Sequence, residues 1–348
     1  MVCCVTCILD KPGLSGYLVC LLCLVFWLNE TNQINQINKT NQMNQTNQLS
    51  GGPCLVLEPM TLTRQAKDRL IEFPDRPLLM GVVNVTPDSF FDGGRYLDAE
   101  AAVAHAVQLV EEGADLLDVG AESTRPGADV VNEVEERRRA IPVVTAVAKA
   151  VTVPISIDTS KAAVARAALD AGAVLVNDVT ALRGDPAMVD VVARTGAGIV
   201  LMHMYGTPRT MQQAPRYDDV VGEISDFFEE RIRFAMAHGI VRRQIILDPG
   251  IGFGKLLVHN LTLLAQLRRF VQFECPLLVG VSQKAFLGQL MDRPLQERQW
   301  GTAAAVAMAV DRGAGILRVH DVRAMKDVVQ VTAAINRQTT VSMKAQHA

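Results

Sequence analysis

From Leu78 onward, short apolar runs alternate with longer segments of helical character. The runs are 78–83 (LLMGVV), 115–119 (DLLDV), 154–157 (PISI), 173–177 (AVLVN), 198–202 (GIVLM), 244–247 (QIIL), 276–280 (PLLVG) and 315–319 (GILRV). Their length and composition predict strands. The stretches 99–112, 133–150, 160–171, 187–194, 218–238, 259–272, 298–312 and 321–337 predict helices, with Asp98 and Ser160 as capping residues. Strand plus helix, repeated eight times over about 260 residues, predicts a parallel sheet closed as a TIM (β/α)8 barrel. A doubly wound sheet is the structural alternative. It calls for a glycine-rich dinucleotide fingerprint after the first strand, and the sequence has none there.

Upstream the pattern is different. Residues 17–28, YLVCLLCLVFWL, are all apolar, too short a run for a comfortable membrane span. Lys11 precedes them as in a signal peptide, but Asn29, Glu30 and a polar repeat follow instead of a small-residue cleavage site. Residues 31–48 repeat Asn-Gln at a three-residue step. Such a tract buries too little apolar surface to offset its ordering entropy, so disorder is expected. We therefore expect residues 1–60 to be an extension, disordered or reflecting a mis-assigned start near Met60, and residues 61–340 to hold the barrel. Peptides from residues 1–50, found by mass spectrometry of the native protein, would exclude the mis-assigned start.

Composition narrows the partners. With 34 basic and 37 acidic side chains, the net charge of −3 offers no basic surface for nucleic acid. Six of the seven cysteines (Cys3, Cys4, Cys7, Cys20, Cys23, Cys54) precede the periodic region and only Cys275 lies within it. A barrel with one cysteine is not held by disulfides and fits a reducing cytoplasm; no membrane partner is expected for it. The pairs Cys4-x-x-Cys7 and Cys20-x-x-Cys23 have zinc-like spacing, but the second sits in an apolar run without turn residues, which argues against zinc.

A TIM barrel gathers its chemistry at the C-terminal ends of its strands. Every predicted strand here runs into polar residues: Asn84; Asp118 and then GAESTRPG; Asp158; Asn177-Asp178; Met202-His203-Met204; Asp248 and then PGIGFGK; Ser282-Gln283-Lys284; and Arg318 with His320. Asp158, Asn177 and Asp248 suit a planar, nitrogen-rich ring, because a carboxylate makes a two-point contact with an amino-pyrimidine edge. The alternative for each is a cap on the following helix, Asp158 above all. Arg125, Arg318, His320 and Asn84 suit an anion, and a diphosphate would bring Mg²⁺, for which the Asn84 oxygen is a plausible ligand. The alternatives are a surface ion pair for Arg318 and a solvated loop position for Lys284. DPGIGFGK (248–255) imitates a phosphate loop, but Leu256 stands where that motif needs Ser or Thr. The histidines of MHM and RVH lack metal-ligand spacing.

Taken in order, GVVNVTPDSFFDGG, ESTRPGA, SIDTSK, LVNDV, LMHM, LDPGIGFGK, VSQKAFLG and ILRVHDV resemble the dihydropteroate synthase family over roughly residues 77–337. The resemblance implies a transferase of folate biosynthesis and a target of sulfonamides. It implies condensation of 6-hydroxymethyl-7,8-dihydropterin diphosphate with 4-aminobenzoate, with Mg²⁺, giving 7,8-dihydropteroate and pyrophosphate, in a homodimer. It further implies that Asn84 contacts diphosphate and metal, and that Phe90 and Asp92 belong to a loop over aminobenzoate facing the developing pterin cation. Thr124, Arg125 and Pro126 fall in a second loop. Asp158, Asn177, Asp248 and Lys284 form the pterin pocket, with Met202 or Met204 under the ring. Phe253 walls the aminobenzoate site, and Arg318 and His320 form the anion site. By the same resemblance Asp92, Arg125, Lys284 and Asp158 are the residues expected to act in catalysis. Two segments depart from the family: Gln283 and Ala285 replace the Arg and second Ser of Ser-Arg-Lys-Ser, and GAEST replaces GGEST. The first departure bears on aminobenzoate affinity and sulfonamide response. The rival functions are methyl transfer from methyltetrahydrofolate to a corrinoid and a catalytically silent pterin- or partner-binding protein. The TRPG loop, Lys284 and the RVH segment argue against the methyltransferase, while Gln283 and Ala285 are the support for the silent protein.

Overall fold

In a computed structural model of the chain, residues 62–67, 69–85, 95–123, 128 and 130–346 are described, all within one compact unit, Met60–Ala348. The expectations for the apolar run, the CxxC pairs and the Asn-Gln tract lie outside the described residues.

Eight parallel strands form the barrel: β3 (Leu78–Asn84), β4 (Leu116–Gly120), β5 (Ile155–Asp158), β6 (Leu175–Asp178), β7 (Gly198–Met202), β8 (Ile245–Asp248), β9 (Leu278–Val279) and β10 (Ile316–Val319). Their order is β8-β7-β6-β5-β4-β3-β10-β9, and a parallel bridge between Leu247 and Leu277 joins the two ends. The helices that return the chain are α1 (Arg95–Glu112), α2 (Glu133–Ala150), α3 (Ala162–Asp170), α4 (Met188–Thr195), α5 (Val220–Ala237), α6 (Leu257–Ala265), α7 (Ala285–Met291), α8 (Gln299–Asp311) and α9 (Val322–Gln346).

The strands are apolar because both faces are covered. Outward residues such as Leu79, Leu117, Val119, Ile157, Val176, Ile199, Leu247 and Leu317 join one core cluster with the helices. Inward residues Leu78, Met80, Leu116, Leu175, Val200, Ile246, Leu278 and Ile316 form a second cluster at the foot of the barrel. Side chains alternate with period two along a strand, so the next inward positions toward the C-terminal end are Asp118, Asn177, Met202, Asp248 and Arg318. An apolar floor with a polar tier above it therefore follows from the residue order.

Three features differ from the expected pattern. An antiparallel hairpin, β1 (Leu62–Ala66) with β2 (Arg69–Phe73), precedes the barrel. It adds Ala66, Ile71 and Phe73 to the floor cluster. The expected helix 259–272 divides into α6 and a 3₁₀ segment, Leu267–Phe273, and α7 precedes α8. Neither expected cap acts as one: Asp98 lies inside α1, and Ser160 precedes Lys161, the residue at the α3 N-cap. The first α3 amide, that of Ala162, instead donates to Asp185 Oδ2 at 2.8 Å. Among the described residues, no helix is long and apolar enough to cross a membrane.

Candidate active site

The polar tier is bonded together across the barrel. Arg318 Nε donates to Asp118 Oδ2 at 2.7 Å, and a terminal nitrogen of the same guanidinium donates to Asp158 Oδ2 at 3.1 Å. Asn177 Nδ2 donates to Asp118 Oδ2 at 3.0 Å. Four strands thus contribute to one network whose members lie far apart in sequence. Asp158 is used here and not as a helix cap; Thr159 Oγ1 takes the nearby Lys161 amide at 3.2 Å. Arg318, expected beside His320 on an anion, forms neither of the anticipated arrangements alone: its ion pairs are with buried carboxylates, not at the surface.

Burial sets the electrostatics. The Asp158 carboxyl is pushed up to about 7 by burial and by the charge of Asp118, against the pull of Arg318. Asp248 is pushed up to about 6 by burial, although the Gly250 amide donates to its Oδ1 at 2.7 Å and Lys284 and Lys255 oppose the shift. Lys284 is lowered to about 8 by burial and by Arg318, and its Nζ stands 4.1 Å from the centre of the Phe253 ring. Arg318 remains firmly cationic: burial works against the charge, but Asp118 and Asp158 outweigh it. Among the described residues, Asp118 Oδ1, Asn177 Oδ1 and Ser156 Oγ are buried without a hydrogen-bond partner. Buried polar atoms of this kind are rare in folded proteins and mark a surface suited to a polar ligand.

An apolar wall adjoins the tier. Met202, Met204, Met211 and Val179 form a small buried cluster, with Phe253 packed against it. The sulfurs and the ring give a polarisable surface for a planar molecule. His320 is held by Ser282, its Nδ1 lying 3.0 Å from the hydroxyl. Asn84 ends β3 half-buried, opposite Gly120. Phe90, Asp92, Thr124, Arg125 and Pro126 lie outside the described residues.

Sequence reasoning named Asp118 only as a strand end, and it is the hub of the network. The available signal was its place two residues beyond Leu116 on the inward face. Lys255 was also passed over. Its buried Nζ lies 3.1 Å from His203 Nδ1 and donates to the Phe253 carbonyl at 3.0 Å, so it turns into the protein and not toward a phosphate. Burial lowers it to about 7 despite Asp248. Its loop requires glycine: Gly250 has φ of 65°, and an added Cβ would stand 1.9 Å from the His203 carbonyl oxygen. Gly250→Ala is expected to cost about 1–3 kcal/mol for the left-handed conformation alone, and more for the clash. A lowered melting temperature is the expected result; a wild-type value would show that the loop adapts.

Comparison with known proteins agrees with this architecture. Residues 80–320 match the family described as pterin binding enzymes. The chain is 45% identical over 269 residues to the dihydropteroate synthase of Synechocystis, covering 77% of this chain and 93% of that one. It superposes on the dihydropteroate synthase of Xanthomonas albilineans with 4-aminobenzoic acid at a TM-score of 0.75 and 47% identity, covering 79% of this chain and 98% of that one. The Yersinia pestis dihydropteroate synthase with a sulfonamide drug complex gives 0.75 and 44%, covering 79% of this chain and 99% of that one. With the same barrel, the same residue order and this degree of identity, the chain belongs to the dihydropteroate synthase family of pterin-binding enzymes.

Proposed function

We infer that the chain is a transferase that condenses 6-hydroxymethyl-7,8-dihydropterin diphosphate with 4-aminobenzoate, giving 7,8-dihydropteroate and pyrophosphate. The observation that carries this reading is the four-strand network of Asp118, Asp158, Asn177 and Arg318, with Asp248 on the same tier. Its carboxylates and amide match the donors and acceptors of a pterin ring. The methionine wall supplies a face for that ring, and Phe253 beside Lys284 a wall for aminobenzoate. Asn84, Arg318 and His320 are assigned to the diphosphate end, and Arg125 and Thr124-Pro126 to the second loop. In this reading Arg318 has two tasks: it anchors the Asp118 and Asp158 carboxylates and presents positive charge toward the leaving group.

As pyrophosphate departs, positive charge spreads into the dihydropterin. Carboxylates already fixed in a buried site stabilise that charge without reorganising, which lowers the barrier itself. Asp92 and Asp158 are assigned this role. The aromatic amine is a weak nucleophile, so holding it at the reacting carbon carries much of the remaining rate.

Mg²⁺ belongs to this reading as well. Among the described residues no group of three or more His, Cys, Asp or Glu forms a protein cage for a metal. The Asn84 oxygen fits a different arrangement, one protein ligand completed by diphosphate oxygens and water, which Mg²⁺ accepts. When bound, the ion would neutralise the leaving group. The homodimer is supported by exposed apolar side chains on neighbouring helices, Trp300 and Met308 on α8 with Val331 and Ile335 on α9. A cytoplasmic location is supported by Cys275 as the single cysteine in the matched region.

Supplied with both substrates, the protein is expected to release pyrophosphate in step with dihydropteroate. A corrinoid methyltransferase or a silent binding protein would release none. Titration calorimetry should also show 4-aminobenzoate binding weakly to the bare protein and strongly once pyrophosphate and Mg²⁺ are present, because the anion favours the conformation that holds the second substrate. Tight aminobenzoate binding indifferent to pyrophosphate would count against the assignment of Asn84, Arg318 and His320.

A further inference from the structure

The loop between β8 and α6 is held by its carbonyl oxygens. Gln212 Nε2 donates to the Gly252 carbonyl at 2.9 Å, Lys255 Nζ to the Phe253 carbonyl at 3.0 Å and the Tyr217 hydroxyl to the Gly254 carbonyl at 2.9 Å. Three consecutive peptide groups are thus each fixed by a side chain, and the middle one belongs to Phe253. Of the three donors, only Lys255 is a buried residue. It has two further contacts, both on His203: Nζ lies 3.1 Å from the ring Nδ1 and donates to the His203 carbonyl at 3.3 Å. His203 stands between Met202 and Met204, its amide donates to the Asp248 carbonyl at 2.9 Å, and its ring meets Phe227 edge-on at 4.9 Å between centroids. Lys255 therefore ties the strand end that carries the methionine wall to the residue packed against that wall.

Both tied parts belong to the mouth of the barrel. Met202 pairs with Asp248 at the ends of β7 and β8, and Lys284 Nζ stands over the Phe253 ring. Asp248, Lys284 and Arg318 in turn lie within reach of one another's charge. A buried cation is a costly way to fill this space, since its three contacts are one imidazole nitrogen and two carbonyl oxygens, none of them charged. An apolar side chain of similar length would avoid the desolvation cost. What it cannot do is bond at once to a carbonyl of the loop and to a carbonyl and ring of the neighbouring strand end, and three donors on one ammonium can.

We propose that Lys255 is a positioning residue for the second substrate: by joining the Phe253 carbonyl to His203 it fixes the Phe253 ring against the methionine wall and beneath Lys284, and so sets aminobenzoate affinity from behind the wall. The proposal rests on the function inferred above, in which Phe253 walls the aminobenzoate site. It predicts a split between the two substrates, because Asp118, Asp158, Asn177 and Arg318 are bonded to one another and not to Lys255.

The test is a double-mutant cycle read by steady-state kinetics, with each substrate varied in turn, on Lys255→Met, Phe253→Ala and the two combined. Small misplacements of a substrate-holding group cost up to about a hundredfold. Lys255→Met is expected to raise KM for 4-aminobenzoate roughly tenfold to a hundredfold, with KM for the pterin diphosphate changed less than about threefold. If Lys255 acts through the Phe253 ring, the two substitutions are not additive. In the Phe253→Ala background, Lys255→Met should then change the aminobenzoate KM by less than about threefold. Lys255→Gln, neutral but still a donor, should recover part of the loss, and it completes the same cycle if Lys255→Met does not fold. Additive effects, a loss equal for both substrates, a wild-type aminobenzoate KM in Phe253→Ala, or failure of both Lys255 variants to fold would each overturn the proposal and leave Lys255 a stability residue. A wild-type protein that forms no dihydropteroate would overturn the functional reading instead, so the two failures are distinct.

Discussion

Arg318→Ala is expected to lower the unfolding free energy by about 3–5 kcal/mol at pH 8, the range for stranding a buried charge. Asp118 is completely buried, with one oxygen already lacking a partner and the other shared by Arg318 and Asn177. Removing the guanidinium leaves two acids facing each other at the mouth with no cation between them. The sign of the pH dependence follows from Asp158. Its carboxyl is raised from 3.8 to about 7 in the folded protein, by burial first and Asp118 second. Between those values the native state holds more protons than the unfolded chain, so this group's contribution to stability falls as pH rises through the window. Without Arg318 the native value rises further and the window widens. Urea unfolding should therefore show a larger deficit for the variant at pH 8 than at pH 5.5. A deficit below about 1 kcal/mol, the size of an exposed pair, and independent of pH, would mean that the ion pair contributes no more than one at the surface.

Asp92→Asn is expected to reduce turnover by about a hundredfold to a thousandfold, the usual effect of removing one preorganised electrostatic contact. Asp92 lies outside the described residues, and its role follows from its place in VTPDSFFDGG. If its carboxylate meets charge that exists mainly in the transition state, kcat should fall while pterin affinity holds. The ring is assigned to Asp158, Asn177 and Asp248, which come from other strands. Phe90→Ala should behave differently, raising KM for aminobenzoate because an apolar cover is lost and no charge is. Near-normal turnover in Asp92→Asn would make the segment from Val85 to Gly94 a plain connector between β3 and α1.

The eight barrel strands were legible because a strand buried on both faces leaves a short apolar run bounded by turn residues. The polar ends were legible for the same reason: an Asp or Asn closing such a run has no apolar purpose. The hairpin was not, since LTRQA and RLIEF are only five residues each and mix charge with apolar positions. Its signal emerges only when Ile71 and Phe73 meet the floor, a tertiary contact. The break after α7 has a local cause that a periodic pattern hides: Asp292 adopts a left-handed conformation, and Pro294 follows two residues later. Arg318 illustrates the limit for the site. Its chemistry could be read from ILRVH, but its partner Asp118 lies 200 residues away, and no local rule chooses among the acids at the strand ends.

The joint between β8 and β9 gives the barrel an uneven stiffness. β9 is two residues long and meets β8 through the single bridge at Leu247 and Leu277. The ladders from β10 through β3, β4 and β5 to β6 run three to five residues each and carry the whole Asp118–Asp158–Asn177–Arg318 network. Local opening is easiest where ladder bonds are fewest. The mouth therefore has a firm side, which carries the Asp118–Asp158–Asn177–Arg318 network, and a compliant side, where Asp248, Lys284 and Phe253 stand near the joint. Opening at the seam would move those three groups against a network that stays fixed.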